Sequence, residues 1–395
     1  MKGKIWLLLF VLMAATPNLA AAASKLEVSG WVPYWRAATG TQDTLPNLSA
    51  LTTVHPFGYS VKNDGMLADT AKLTEEPWVL FLAEAKKKKV RVIPTVMWSD
   101  AAAMHRILSN QKTRIALEDE ITALVMQNNF DGIDLDFEGK WAETKPYFST
   151  FLKGLYQRMG KKWVYCTIES RTPLDSRYDG TPPADATVYA NDYVEINKYC
   201  DRVQIMTYDQ GAIDVKLNRA RAAPYVPVAD PGWVEKVITL AAKTIPKKKL
   251  ILGIPTYGYE YSVKPLSQYG YSYDRLWAFN PRYATDLAKE LNIPPVRNGA
   301  GELSFMYKEA TVKKKRKPDK SESITQGGLA PAATLYSQAA LAAQFEPPFN
   351  IVWWSDAQAI KDKMDLAKKL GVRGVAIFKL DGSQAPGFWE VVVKR

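Results

Sequence analysis

Histidine and cysteine are almost missing from this sequence. Its 395 residues include two histidines, His55 and His105, and two cysteines, Cys166 and Cys200. No HExxH pair is present, which argues against a zinc protease. No CxxC pair is present either, so zinc-ribbon and thioredoxin-type readings fall away. GxSxG, P-loop and GxGxxG patterns are also lacking, and with them the usual marks of serine hydrolase, nucleotide-hydrolysing and dinucleotide chemistry. What remains is carboxylate chemistry.

Long apolar runs are scarce too. The one candidate is N-terminal: Lys2 and Lys4, an apolar run over 5–15, Pro17, then LAAAAS. This reads as a secretory signal peptide over 1–23, cleaved near Ala23. The run is short for a membrane span, with an uncleaved anchor as the alternative. No second long apolar run follows, so the mature chain is expected to be soluble, exported to the cell wall or periplasm, with no membrane association after cleavage. Export permits a Cys166–Cys200 disulfide; two buried thiols are the other reading, since Cys166 falls inside an apparent strand.

Hydrophobic residues make up 47% and aromatics 11%, enough for a real core. The net charge is +11, which draws an exported protein to anionic surfaces such as a cell wall. No nucleic-acid partner is expected: the basic residues are scattered apart from KKKK at 86–89 and KKKRK at 313–317, which read as solvated charge.

The informative stretch is FDGIDLDFEG at 130–139. Asp134, Asp136 and Glu138 stand two apart, with Ile133, Leu135 and Phe137 between them. In a strand, side chains alternate faces, so the acids share one face and the apolar residues the other. Acids so close cannot all ionise cheaply; one proton is shared and a carboxyl pKa rises, which suits a general acid. The bland alternative is a half-exposed alternating strand, although acids are poor strand formers and repel in register. A divalent cation site is the third reading, weakened by the absence of a Gly-rich ligand loop.

Seven further β-rich runs flank it: 28–35, 51–61, 90–98, 163–170, 202–209, 249–259 and 372–381. Amphipathic stretches at 75–89, 111–129, 144–160, 231–245 and 357–370 separate most of them. Eight strands alternating with helices predict an α/β fold, a (β/α)₈ TIM barrel. The last two strands lie more than 110 residues apart, where about 30 residues make such a unit. A small α+β insertion is therefore expected at 264–348, with a helix at 281–291 and a loop at 311–332. The barrel then comprises 24–263 and 349–395.

In such barrels chemistry gathers where strands end. There the sequence places Tyr34, Trp35, Tyr59, Trp98, Glu138, Tyr208, Asp209, Tyr257, Tyr259 and Phe378. Aromatic faces around carboxylates suit a sugar-binding cleft.

DGIDLDFE resembles the DGxDxDxE signature of glycoside hydrolase family 18, the chitinase-like enzymes. IMTYD (205–209), GIPTYGY (253–259) and WWSDAQAIKDKMDLAKKLGVRGVAIF (353–378) resemble that family's sixth strand, seventh strand and return into the eighth. The wording is most similar to the bacterial branch with spore-germination and cortex-lytic N-acetylglucosaminidases, although no LysM-type repeat is visible. The resemblance implies a retaining, substrate-assisted glycosidase, the exception among two-carboxylate enzymes. It implies Glu138 as acid and then base, Asp136 as partner of the substrate's acetamido N–H, Asp134 as sharer of a proton with Asp136, and Tyr208 as holder of the acetamido oxygen. Tyr34, Trp98, Met206, Asp209, Tyr257 and Phe378 would line the substrate site. No metal or organic cofactor is implied. The partner would be a polysaccharide containing N-acetylglucosamine, peptidoglycan or chitin, bound by a monomer. Two departures stand out: Phe378 occupies a position where many members carry Trp, and TVMWS (95–99) replaces the SxGG of chitinases. A non-catalytic, lectin-like glycan-binding protein on the same barrel is the alternative.

Overall fold

The computed structural model describes residues 25–221, 224–267, 270–308 and 349–394. The leader and the 311–332 loop lie outside these residues. Eight parallel strands close into a barrel, in chain order Glu27–Pro33, Thr53–Val61, Thr95–Trp98, Gly132–Phe137, Trp163–Glu169, Arg202–Met206, Leu250–Pro255 and Gly374–Phe378. Each pairs with the next, and the first pairs with both the second and the eighth. The expected strands thus all form. Most stop earlier than their apolar wording, because the chain turns out of the barrel where the wording still reads as β.

The connecting helices Trp78–Lys87, Gln111–Gln127, Lys145–Met159, Pro231–Ala241 and Ala357–Leu370 match the amphipathic stretches. Each lays an apolar face on the outside of the barrel, as Phe148, Phe151 and Leu155 do from Lys145–Met159. Helix Ala101–Ser109 was not evident from periodicity; Asp100 caps it by accepting from the Ala103 N–H. Among the described residues no helix is long and apolar enough to cross a membrane.

A second sheet, antiparallel and five-stranded, rises from the seventh strand. Its strands are Gly258–Ser267, Gly270–Phe279, Val296–Arg297, Leu303–Tyr307 and Phe349–Trp354, with helix Pro281–Leu291 against it. Phe279, Tyr283, Leu287, Phe305, Val352 and Trp354 form its own core. Its strands extend past both expected limits, 264 and 348. KLILGIPTYGY (249–259) reads as one β-run, yet the chain leaves the barrel after Pro255 and re-enters β pairing at Gly258. A Cβ there would lie 2.4 Å from the Trp353 carbonyl oxygen, so only glycine permits the crossing.

Cys166 and Cys200 form a disulfide, Cα atoms 6.0 Å apart. It ties the fifth strand to the residue after helix Tyr193–Tyr199.

At the N-terminal end of the barrel, Glu27 closes the bottom. It accepts two bonds from Arg202, at 2.8 and 2.9 Å, and lies 2.8 Å from Arg373 and 3.3 Å from Arg91. These cations come from the start of the sixth strand, the residue before the eighth, and the short strand Arg91–Val92 that precedes the third. Burial pushes the Glu27 carboxyl up, but the arginines outweigh it and hold the pKa at about 2. The unfolded chain takes up this proton near pH 4.5, so the cluster's contribution is whole above that value and fades as pH falls toward 2. Glu27→Gln, which leaves three guanidinium groups around a neutral amide, is expected to cost about 3 kcal/mol. Urea unfolding at pH 7 and at pH 3 checks this: the gap between wild type and variant should narrow at pH 3.

Candidate active site

The fourth strand carries the acids as the alternation requires. Ile133, Leu135 and Phe137 face the helices, and the Phe137 ring lies 5.9 and 5.5 Å from Phe148 and Phe151. Asp134 and Asp136 point into the barrel. Glu138 stands one step past the strand, still held by its N–H to the Trp98 carbonyl at 2.8 Å.

The three carboxyls differ in their partners. Asp134 is fully buried and accepts from Trp31 Nε1 (2.9 Å), Thr95 Oγ1 (2.7 Å), Thr167 Oγ1 (2.7 Å) and Gln204 Nε2 (3.3 Å). Those donors come from the first, third, fifth and sixth strands and fill the oxygens a cation would need. Among the described residues no cluster of His, Cys, Asp or Glu has the makings of a metal site. Asp136 is buried with its Oδ1 unpartnered. Burial, then the charges of Glu138, Asp134 and Glu169, push its pKa well up. Asp134 thus has four neutral donors, whereas Asp136 keeps an oxygen open and is the carboxyl that burial and its neighbours favour in the protonated form. Glu138 is half-buried; burial first, then Glu169 and Asp209, push its pKa up to about 8 against the pull of Lys140.

A small, mostly apolar pocket opens over Asp136 and Glu138. Trp31, Trp35, Phe57, Met97, Thr167, Met206, Tyr208 and Phe378 complete its lining. Of the residues expected there, Met206, Tyr208 and Phe378 are present. Phe378 forms the floor, stacked on Tyr208 at 5.8 Å and edge-on to Trp31 at 5.9 Å. Burial and the neighbouring carboxyls raise the Tyr208 hydroxyl well above its usual pKa, keeping it a neutral donor.

Four expected residues do not line this pocket. Trp98 faces outward, 2% exposed, edge-on to Phe137 at 5.3 Å. The register explains it: Thr95 pairs with Asp134 and Met97 with Asp136, so the inward positions of the third strand are odd-numbered and Trp98 falls on the helix side. Tyr34 lies in a 3₁₀ turn after the first strand, edge-on to Trp35 at 4.9 Å, and Trp35 takes the pocket position. Asp209 and Tyr257 sit behind Tyr208. The Tyr257 ring is 6.2 Å from Tyr208, and Asp209 accepts from the hydroxyls of Tyr257 and Tyr259 at 2.5 and 2.6 Å.

Trp31, Phe57, Met97 and Thr167 escaped the sequence reading, although counting alternate positions from the fourth-strand acids would have marked Met97. Glu169, at the end of the fifth strand, also escaped. It accepts from the Gly139 N–H at 2.9 Å and from Asn191 Nδ2 at 2.6 Å, with Lys140 Nζ 3.8 Å away. His55 lies inside the barrel under Trp31, its ring 5.3 Å away and its Nδ1 on the Ile93 carbonyl. Burial lowers its pKa, so it stays neutral.

Thr167 both donates to Asp134 and accepts from Gln204 Nε2 at 3.1 Å. Thr167→Val removes that link between two buried polar groups and should cost about 2 kcal/mol in chemical denaturation. A neutral result would mean that the Asp134 network does not bear on stability.

The sequence model for glycosyl hydrolases family 18 matches residues 30–382. An uncharacterized glycosylase of Bacillus subtilis, YvbX, is 25% identical over 362 residues, which cover 90% of this chain and 89% of that protein. The cortical fragment-lytic enzyme of Bacillus subtilis is 24% identical over 350 residues, 86% of this chain and 66% of its own length. The crystal structure of a Chromobacterium violaceum chitinase superposes with a TM-score of 0.67 at 17% identity, covering 93% of this chain and 98% of the chitinase.

Proposed function

The chain belongs to the glycosyl hydrolases of family 18, and on that premise we propose that it cleaves β-1,4 bonds next to N-acetylglucosamine with retention of configuration, using the substrate's own acetamido group as nucleophile. The observation that carries the reading is Asp136 Oδ1: a buried acceptor without a partner, on a pocket shared with Glu138 and Tyr208. A buried acceptor of this kind is costly unless a ligand supplies the donor. An acetamido group fits: its N–H pairs with Asp136, its carbonyl oxygen meets the Tyr208 hydroxyl, and its methyl lies against the apolar wall.

In this mechanism the proton on Glu138 passes to the glycosidic oxygen as the C–O bond breaks. The acetamido oxygen bonds to the anomeric carbon from the opposite face, giving an oxazolinium ion. Asp136 holds the N–H of that ion, and Glu138, now a carboxylate, takes a proton from the water that reopens the ring. Asp134 fixes the strand that carries both. No metal or organic cofactor enters these steps, and a monomer contains the whole site.

Peptidoglycan is the favoured substrate and chitin the second. The name of the cortical fragment-lytic relative, the net charge of +11 and the leader-like N-terminus support a cell-wall target outside the cytoplasm. The Cys166–Cys200 disulfide suits an oxidising compartment.

The test is product analysis by mass spectrometry, with wild type and Glu138→Gln given purified peptidoglycan and, separately, oligomers of N-acetylglucosamine. Wild type should release fragments, and the variant should lose about 1,000-fold in rate. Uncleaved glycans that both proteins still bind would instead identify a lectin. Because Glu138 must carry a proton, kcat/KM should hold at neutral pH and fall as pH rises through about 8.

A further inference from the structure

The chain turns sharply after Glu138. Gly139 adopts φ +65°, and its N–H points at Glu169 on the neighbouring strand. The next side chain, Lys140, folds back out of solvent. Its ammonium donates to the Phe137 carbonyl, lies 4.8 Å from the Phe148 ring centre and 3.8 Å from Glu169 Oε2. Asn191 holds the same carboxylate oxygen at 2.6 Å. The Asn191 backbone carbonyl accepts from Arg171, whose guanidinium stacks between Tyr189 and Tyr193 at 3.5 and 4.0 Å. Glu169 is thus gripped by an amide N–H, a carboxamide and an ammonium, while 36% of its side-chain surface remains in solvent.

We propose that Lys140 and Glu169 are positioning residues for Glu138: they pin its turn through Gly139, and by their opposite charges they govern when Glu138 releases its proton. This rests on Glu138 being the acid. Neither residue lines the pocket over Asp136 and Glu138, and their contacts run to the turn that carries Glu138.

The charged and titratable groups facing Glu138 come from four segments. Asp136 precedes it on its own strand, Lys140 follows it, Glu169 ends the fifth strand, and Tyr208 and Asp209 follow the sixth. Burial pushes Glu169 toward neutrality, but Lys140 and the bonds from Gly139 and Asn191 outweigh it and keep the group ionised. Glu169 is the foremost of the charges that raise Glu138, and Lys140 is the one that opposes them. The pair is close to neutral as a whole, yet its two ends act on Glu138 with opposite sign. A wild-type turn holds both.

Glu169→Gln and Lys140→Met separate the two ends. The Glu138 carboxyl is titrated by carbon-13 NMR in the substrate-free protein, alongside pH profiles of kcat/KM on a GlcNAc oligomer. Glu169→Gln should move the Glu138 midpoint down by about one pH unit and Lys140→Met should move it up by a similar amount. The alkaline limb of kcat/KM should shift with the midpoint. Midpoints that stay in place, or that move in the same direction as a merely loosened turn would make them, overturn the proposal. Each variant reads one end of the pair, so the other decides if one fails to fold. The NMR midpoint needs no turnover: an alkaline limb unrelated to it in wild type would count against Glu138 as the acid, whatever the two variants do.

Discussion

Most of this molecule is organised around one buried carboxylate. Asp134 has no access to solvent, and an ion in that position is tolerable only when its oxygens are filled. The donors come from the first, third, fifth and sixth strands, and Ser29 braces the Gln204 amide from the first strand at 3.0 Å. Closing the barrel is therefore the same event as satisfying Asp134. The consequence for register is strict. A slip of one residue would turn Asp134 to the helix side and bring Ile133 or Leu135 among the polar groups. With Asp134 fixed, Asp136 and Glu138 are fixed two and four residues further along.

The three acids then form a series graded by hydrogen-bond supply. Asp134 has a full complement of donors, Asp136 has an empty oxygen, and Glu138 sits at the edge of solvent beside a carboxylate that other groups keep charged. One side-chain type meets three different environments, the usual way in which acid and base roles are divided at a single pH. The opposite end of the barrel solves a related problem differently. Glu27 is met by full charges, not neutral dipoles, which suits a fixed ion and would not suit a group that must exchange its proton.

The period-two pattern made the eight strands and the acid triplet legible, because alternation needs only one strand at a time. It failed where strands end. Tyr34 and Trp98 carry the right side-chain type, but the first enters a 3₁₀ turn and the second has the wrong parity. The start of the second sheet was hidden for a similar reason: Pro255 to Gly258 reads as unbroken β although the chain changes partner there. Glu169, Lys140 and Trp31 were invisible in principle, since their meaning comes from neighbours far away in the chain. The cysteines lay between these cases. Their positions permitted a bond, and only the pairing of the fifth and sixth strands brings them together.

That bond has a consequence of a different kind. The 34-residue separation between Cys166 and Cys200 spans Glu169, Arg171, Asn191 and Tyr193, the segment that grips the turn after Glu138. A crosslink of that length removes chain entropy from the unfolded ensemble worth about 4 kcal/mol. When the chain unfolds with this bond intact, the loop's residues stay near one another, and the excursion from the fifth strand to the sixth is restrained by a covalent ring that the chemistry itself never touches.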